Sequence, residues 1–320
     1  MILNLVAVSG LVRRPRRPLQ LQGDILMVEE FFMNTTSRGV QRIIRPEMTS
    51  DGAGVKLKRS IAGRALDYLD PFLLFDHFGS DNPNDYIAGF PMHPHRGIET
   101  VTYMLAVVVQ HRDSIGHSGT ISTGDVQWMT AGSGIMHEEM PQLRGSKLSG
   151  FQLWVNLPRT QKMTPPRYQE YAASQIPEAR REGGTVVKVI AGVFDGARGP
   201  VTGIAADPTY LDFILPAGAS ITQPIPRGHT AFAYLYDGRA DFGGKQVESP
   251  NLVLFEDGEQ VEASAGVSGA RFLLISGQPL HEPVARYGPF VMNTEDEIRQ
   301  ALIDLQNGTF VRSTQSRSGL

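Results

Sequence analysis

Two short segments carry the side chains with the clearest chemistry. One is Gly89-Phe90-Pro91-Met92-His93-Pro94-His95-Arg96-Gly97-Ile98-Glu99, the other Gly132-Ser133-Gly134-Ile135-Met136-His137-Glu138-Glu139-Met140. Residues i and i+2 of a strand share a face. His93 and His95 therefore point one way, and so do His137 and Glu139. Two such pairs on facing strands make a pocket of three imidazoles and one carboxylate. That donor set suits a redox-active first-row metal with open positions, iron above the others. Structural zinc sites rely mostly on cysteine, and the chain has none. Four protein ligands on an octahedral ion leave two positions for water, O2 or a chelating substrate. A single carboxylate leaves a divalent ion with a residual positive charge, which favours an anionic bidentate ligand such as a deprotonated hydroxy-ketone.

Taken alone, each pair reads more readily as ordinary core or surface residues; their combination in one strand-rich block points to metal. Glu99 shares the parity of His93 and His95, but an ideal strand carries it about 13 Å past His95. A bulge at Gly97 would shorten that distance. Glu99 is accordingly expected to support an imidazole N–H from outside the ligand set. His77 is expected at the mouth of the site. Trp128 reads as core, with a stacking wall for an aromatic substrate as the alternative. His111, His117, His229 and His281 have no paired partner and read as structural or exposed.

The surrounding elements must be strands. Gly (34) and Pro (21) are abundant and the apolar runs are short, a pattern of many strands and turns. A chain of 320 residues has room for two domains. The net charge of -3 offers no field for nucleic acid. No run approaches the roughly 18 apolar residues of a membrane span. The apolar start precedes its arginines (Arg13, Arg14, Arg16, Arg17), the reverse of a signal peptide. These features lead to the expectation of a soluble, cytoplasmic protein, and the absence of cysteine fits a reducing compartment.

The strand-rich part reads as two copies. His93-Pro94-His95-Arg96-Gly97 leads to Tyr103, and Pro224-Ile225-Pro226-Arg227-Gly228 leads to Tyr234 at a constant offset. Prolines replace both histidines in the second copy, so only the first is expected to hold metal. The division is 1–36, an unstructured extension; 37–165, the metal-binding domain; 166–184, a linker; 185–290, the second domain; and 291–320, a helix and tail. Residues 1–32 lack a core pattern, which favours a translation start at Met33 over a genuine basic arm. Thr294 and Glu297 form a capping box. Ile298, Ala301, Leu302 and Leu305 follow at helical spacing, and Gly308 ends the run.

The longer strings resemble the pirin family of the cupin superfamily. They are Asp70–Asp76, Phe90–Gly97, Gly124–Gly132 and Gly288–Thr294, and the likeness runs from about Val40 to Leu305. It implies an all-β bicupin: two antiparallel β-sandwich barrels face to face, with a short C-terminal helix. It implies one Fe(II) per chain, other first-row divalent metals being admissible, on His93, His95, His137 and Glu139. The implied activity is opening of a flavonol such as quercetin by O2, with Glu139 as fixed ligand or as base. The alternative is a redox-sensing regulator that binds a transcription factor or metabolic enzyme. The expected partners are thus a flavonol-like aromatic substrate and O2, on a monomer. The chain departs from the family at Leu105-Ala106-Val107-Val108-Val109-Gln110-His111, where a glycine-containing tight turn is usual. An altered hairpin is expected there.

Overall fold

The computed structural model describes residues 35–106, 108–142 and 147–312. The N-terminal extension, the expected start at Met33 and the chain beyond 312 lie outside the described residues. The first copy pairs seven strands in the order Arg167–Tyr171, Val126–Thr130, Ile98–Ala106, Leu148–Asn156, Phe72–Ser80, Val55–Ile61 and Glu47–Asp51. A four-stranded sheet covers one face: Phe90–His95, Ile135–Gln142, Val108–Asp113 and Ser118–Ile121. Every pairing within these two sheets is antiparallel.

The second copy forms one nine-stranded sheet. Its two long strands, Thr230–Phe242 and Gln260–Gly277, pair with each other through two register irregularities. Such irregularities bend strands, and the sheet curls round a closed apolar interior. The architecture is therefore all-β, two sandwich barrels with one C-terminal helix, as the resemblance implied.

Three details differ from expectation. Strand Val40–Ile44, assigned to the first domain, pairs with Asn251–Phe255 of the second. The expected linker is not plain connection: Arg167–Tyr171 edges the first large sheet and Glu178–Arg180 edges the second. Nor is there a hairpin after Tyr103. Ile98–Ala106 belongs to the seven-stranded sheet and Val108–Asp113 to the four-stranded one, so consecutive strands of the chain lie in different sheets. Of the described residues flanking this change, Leu105, Ala106 and Val108 are not among those with a positive φ.

The barrels meet through their large sheets, where Phe75, Tyr103 and Phe151 pack with Phe232, Tyr234 and Leu273. Two hydrogen bonds cross this contact reciprocally. Tyr103 Oη donates to Asp212 Oδ2 at 2.7 Å, and Tyr234 Oη lies 3.1 Å from His77 Nδ1. His77 and Tyr103 flank Phe151 in register, just as Asp212 and Tyr234 flank Leu273. The duplication read from one short match thus extends to the register of the sheets.

The helix forms as the capping box predicts. It spans Glu295–Gln306, Thr294 Oγ1 accepts the Glu297 N–H, and the Glu297 carboxylate accepts the Thr294 N–H. Ile298 and Ala301 pack on Phe290, Met292 and Phe310. The fully buried Arg96, next to His95, donates to Asp304 on this helix and to the carbonyls of Ser133 and Phe310. The helix is thereby tied to the histidine segment.

Candidate metal centre

His93 and His95 lie on strand Phe90–His95, and His137 lies on the neighbouring strand Ile135–Gln142. The two strands are hydrogen-bonded neighbours in which His137 is the direct partner of His93 and Ile135 of His95. Directly opposed residues of a pair share a face, so the three rings converge. Their ligating nitrogens lie within 4.8 Å of one another. The chain leaves this edge strand abruptly. Gly97 sits at φ +80°, and a Cβ there would lie 2.0 Å from the Val291 carbonyl, so no other residue fits without moving the backbone.

The donor chemistry fits a metal ion. His93 Nδ1 donates to the Pro91 carbonyl at 2.9 Å, which leaves its Nε2 lone pair free. That Nε2 stands 3.0 Å from His95 Nε2. Two nitrogens at right angles around an ion, each about 2.1 Å from it, would sit about 3.0 Å apart. Both ring nitrogens of buried His137 have no hydrogen-bond partner among the described residues. Burial, and then the neighbouring rings, hold His95 and His137 well below the usual imidazole range. They are neutral and can donate lone pairs.

Glu139 borders the same cavity as His93 and His95, beyond a register shift that follows His137. The tight cluster itself consists of the three imidazoles. Thr102 Oγ1 donates to Glu139 Oε1 at 3.0 Å. Gln152 Oε1 lies 2.9 Å from the same hydroxyl, which has one proton to give; turning the amide so that its NH2 donates to Thr102 satisfies all three groups. Burial raises the Glu139 pKa, against the opposing pull of His93 and the Thr102 hydrogen bond.

The cavity holds about 560 Å³, within the range of small-molecule sites. Its walls include Leu57, Leu74, Phe78, Phe90 and Leu148. Trp154 stands edge-on to His95 at 5.1 Å between ring centroids.

Glu99, Trp128 and His77 do not line this cavity. Glu99 follows the turn at Gly97 on a strand of the other sheet, buried and accepting from Thr130 Oγ1 at 2.7 Å. The turn breaks the parity on which its link to His93 and His95 rested. Trp128 packs into the core between the barrels. His77 is turned to Tyr234, and burial lowers its pKa to about 3. Their neighbours face the cavity side instead: Asp76 beside His77, and Gln127 beside Trp128 in register with Thr102. Asp76, Arg59, Thr102, Gln152, Trp154 and Arg286 are wall residues that the sequence reading missed. Asp76 had a signal, being the charged residue that follows four apolar ones in Phe72–Phe75. His111, read as unpaired, is buried in register with Glu139 and lies 3.1 Å from the Glu170 carboxylate.

The comparisons with known proteins agree on the relationship. The family model Pirin matches residues 54–155, and that of the Pirin C-terminal cupin domain matches residues 210–311. A pirin-like protein of Caulobacter vibrioides is 44% identical over 274 residues, 85% of this chain and 99% of the other. A pirin-like protein of Solanum lycopersicum is 46% identical over 273 residues, 83% of this chain and 91% of the other. The crystal structure of a quercetin 2,3-dioxygenase from Acinetobacter baumannii superimposes with a TM-score of 0.80 at 36% identity, covering 86% of this chain and 99% of that one. Two matched domains, the bicupin fold and identity along most of the chain make this protein a member of the pirin family.

Proposed function

We propose that the chain is a mononuclear non-haem iron dioxygenase that opens flavonols such as quercetin with O2. One observation carries the reading: three imidazoles cluster with their ligating nitrogens within 4.8 Å of one another, and two of them, His93 and His95, line a largely apolar cavity of about 560 Å³. The likeness to a quercetin 2,3-dioxygenase of Acinetobacter baumannii supports the substrate class. His93, His95, His137 and Glu139 would hold one Fe(II). When bound, the ion supplies a site for a deprotonated hydroxy-ketone and for O2.

The protein's own groups do the rest. Trp154 and the apolar wall accept flat rings and exclude water. Pro91 keeps the His93 proton on Nδ1, so that Nε2 stays a donor to metal. Thr102 holds one oxygen of Glu139 and leaves the other for the ion or for the proton of the substrate's hydroxyl.

Anaerobic loading with Fe(II), followed by O2 uptake and carbon monoxide release against a flavonol panel, tests the reading. Turnover is expected with wild type and not with His93→Ala. Full metal occupancy without turnover on any flavonol would sink it and favour the redox-sensing regulator. Glu139→Gln separates the two roles of that residue. Loss of metal marks a ligand; retained metal with lost turnover marks a base.

A further inference from the structure

A row of polar side chains crosses the seven-stranded sheet on its cavity side. In register, Arg59 pairs with Asp76, Asp76 with Gln152, Gln152 with Thr102, and Thr102 with Gln127. Thr102 carries Glu139, the metal end of the row. Asp76 stands two strands away, about 9–10 Å at ordinary strand spacing.

Asp76 is 3% exposed and lines the cavity. Arg59 grips it through two hydrogen bonds, Nε to Oδ1 at 2.9 Å and Nη2 to Oδ2 at 2.7 Å. Arg59 also donates to Asp51 Oδ2 at 2.7 Å, and Arg286 lies close enough to favour the ionised Asp76. A carboxylate has about four acceptor positions. Arg59 fills two, and no other donor among the described residues bonds to Asp76. The remaining positions are on a buried charge at the edge of an apolar chamber, where an unmade hydrogen bond is costly. Burial, the largest influence, raises the Asp76 pKa to about 6 against the pull of Arg59, so at neutral pH it is ionised and only accepts.

We propose that Asp76, clamped by Arg59, is the specificity-determining acceptor of the cavity and takes a hydrogen bond from a hydroxyl on the end of the ligand farther from the histidines. This rests on the reading of the cavity as a substrate chamber and deepens it. The ligand must be long enough to reach from the Glu139 end to Asp76, which selects a hydroxylated molecule of more than one ring over a small hydroxy acid.

The test compares two ligands on Fe(II)-loaded protein under anaerobic conditions, by titration calorimetry. Both quercetin and 3-hydroxyflavone carry the hydroxy-ketone, but only quercetin has hydroxyls on its outer rings. Wild type should bind quercetin on the order of 10- to 100-fold tighter, as for a hydrogen bond to a charged group. Asp76→Asn should bring quercetin to within about threefold of 3-hydroxyflavone. Equal binding by wild type, or a preference that survives in Asp76→Asn, overturns the proposal. Binding of neither flavonol overturns the chamber reading itself. Should Asp76→Asn fail to fold, equal binding of the two flavonols by wild type still overturns the proposal.

Discussion

The two barrels share a plan and differ in what fills them. Inside the second, Phe213 stacks on Phe272 at 4.9 Å, and Phe242 and Phe194 pack edge-on against that pair. Inside the first, a smaller apolar cluster of Val55, Leu57, Phe78, Tyr86 and Met104 shares the space with the histidines and the cavity. Where His93 faces His137, Pro224 faces Gln260. A sandwich barrel needs an apolar interior for stability but not in both copies, since the core between the barrels is shared. One copy is filled, and the other is free to carry polar groups that cost stability and do chemistry.

The sharpest way to break this contrast is by metal content. His95→Ala or His137→Ala should abolish retention of metal, and wild type should bind one equivalent per chain. Elemental analysis giving two equivalents would assign a site to the second barrel and end the asymmetry. Glu99→Gln should keep its metal, because its carboxylate is engaged by Thr130 away from the cavity.

Stability should show the reverse pattern. Phe272→Ala removes a fully buried ring from the filled barrel and should cost about 3–5 kcal/mol. Phe90→Ala, on the cavity wall and partly exposed, should cost clearly less. Urea unfolding monitored by fluorescence measures both, and equal losses would show that the first barrel is packed as tightly as the second.

The contact between the barrels should respond to acid. His77 stays neutral in the folded protein down to about pH 3, whereas in the unfolded chain it takes a proton near 6.5. The unfolded state therefore binds more protons as pH falls below 6.5, and stability drops by at most about 1.4 kcal/mol per pH unit over that window. His77→Gln should flatten the dependence between pH 6.5 and 4 relative to wild type. Parallel curves would mean that His77 is accessible to protons and that the contact is open.

The smallest effect concerns the helix behind the metal strand. Thr294→Ala removes a hydrogen-bonded N-cap and should cost about 1 kcal/mol. Metal retention should be unchanged, because Arg96 still holds Asp304. A drop in metal content would show that the helix end supports the site more directly than its contacts suggest.

Much of this was legible from residues alone. The spacing of His93, His95 and His137, the prolines at their counterparts and the capping box at Thr294 each depend on local chemistry, which the chain carries wherever it goes. What the sequence could not decide was which side of the large sheet faces the cavity. Both faces of that sheet are buried, one against the four-stranded sheet and one against the second barrel, so strands such as Phe72–Ser80 and Val126–Thr130 are buried almost throughout and show no alternation of buried and exposed positions. A slip of one residue exchanges the faces. Hence the residues alone place His77 and Glu99 near the site and leave Trp128 open between core and pocket wall, while they pass over Asp76, Gln152 and Thr102. Only the packing of the two barrels, which claims the Tyr103 and Phe151 face for the shared core, leaves Asp76 and Thr102 to the cavity.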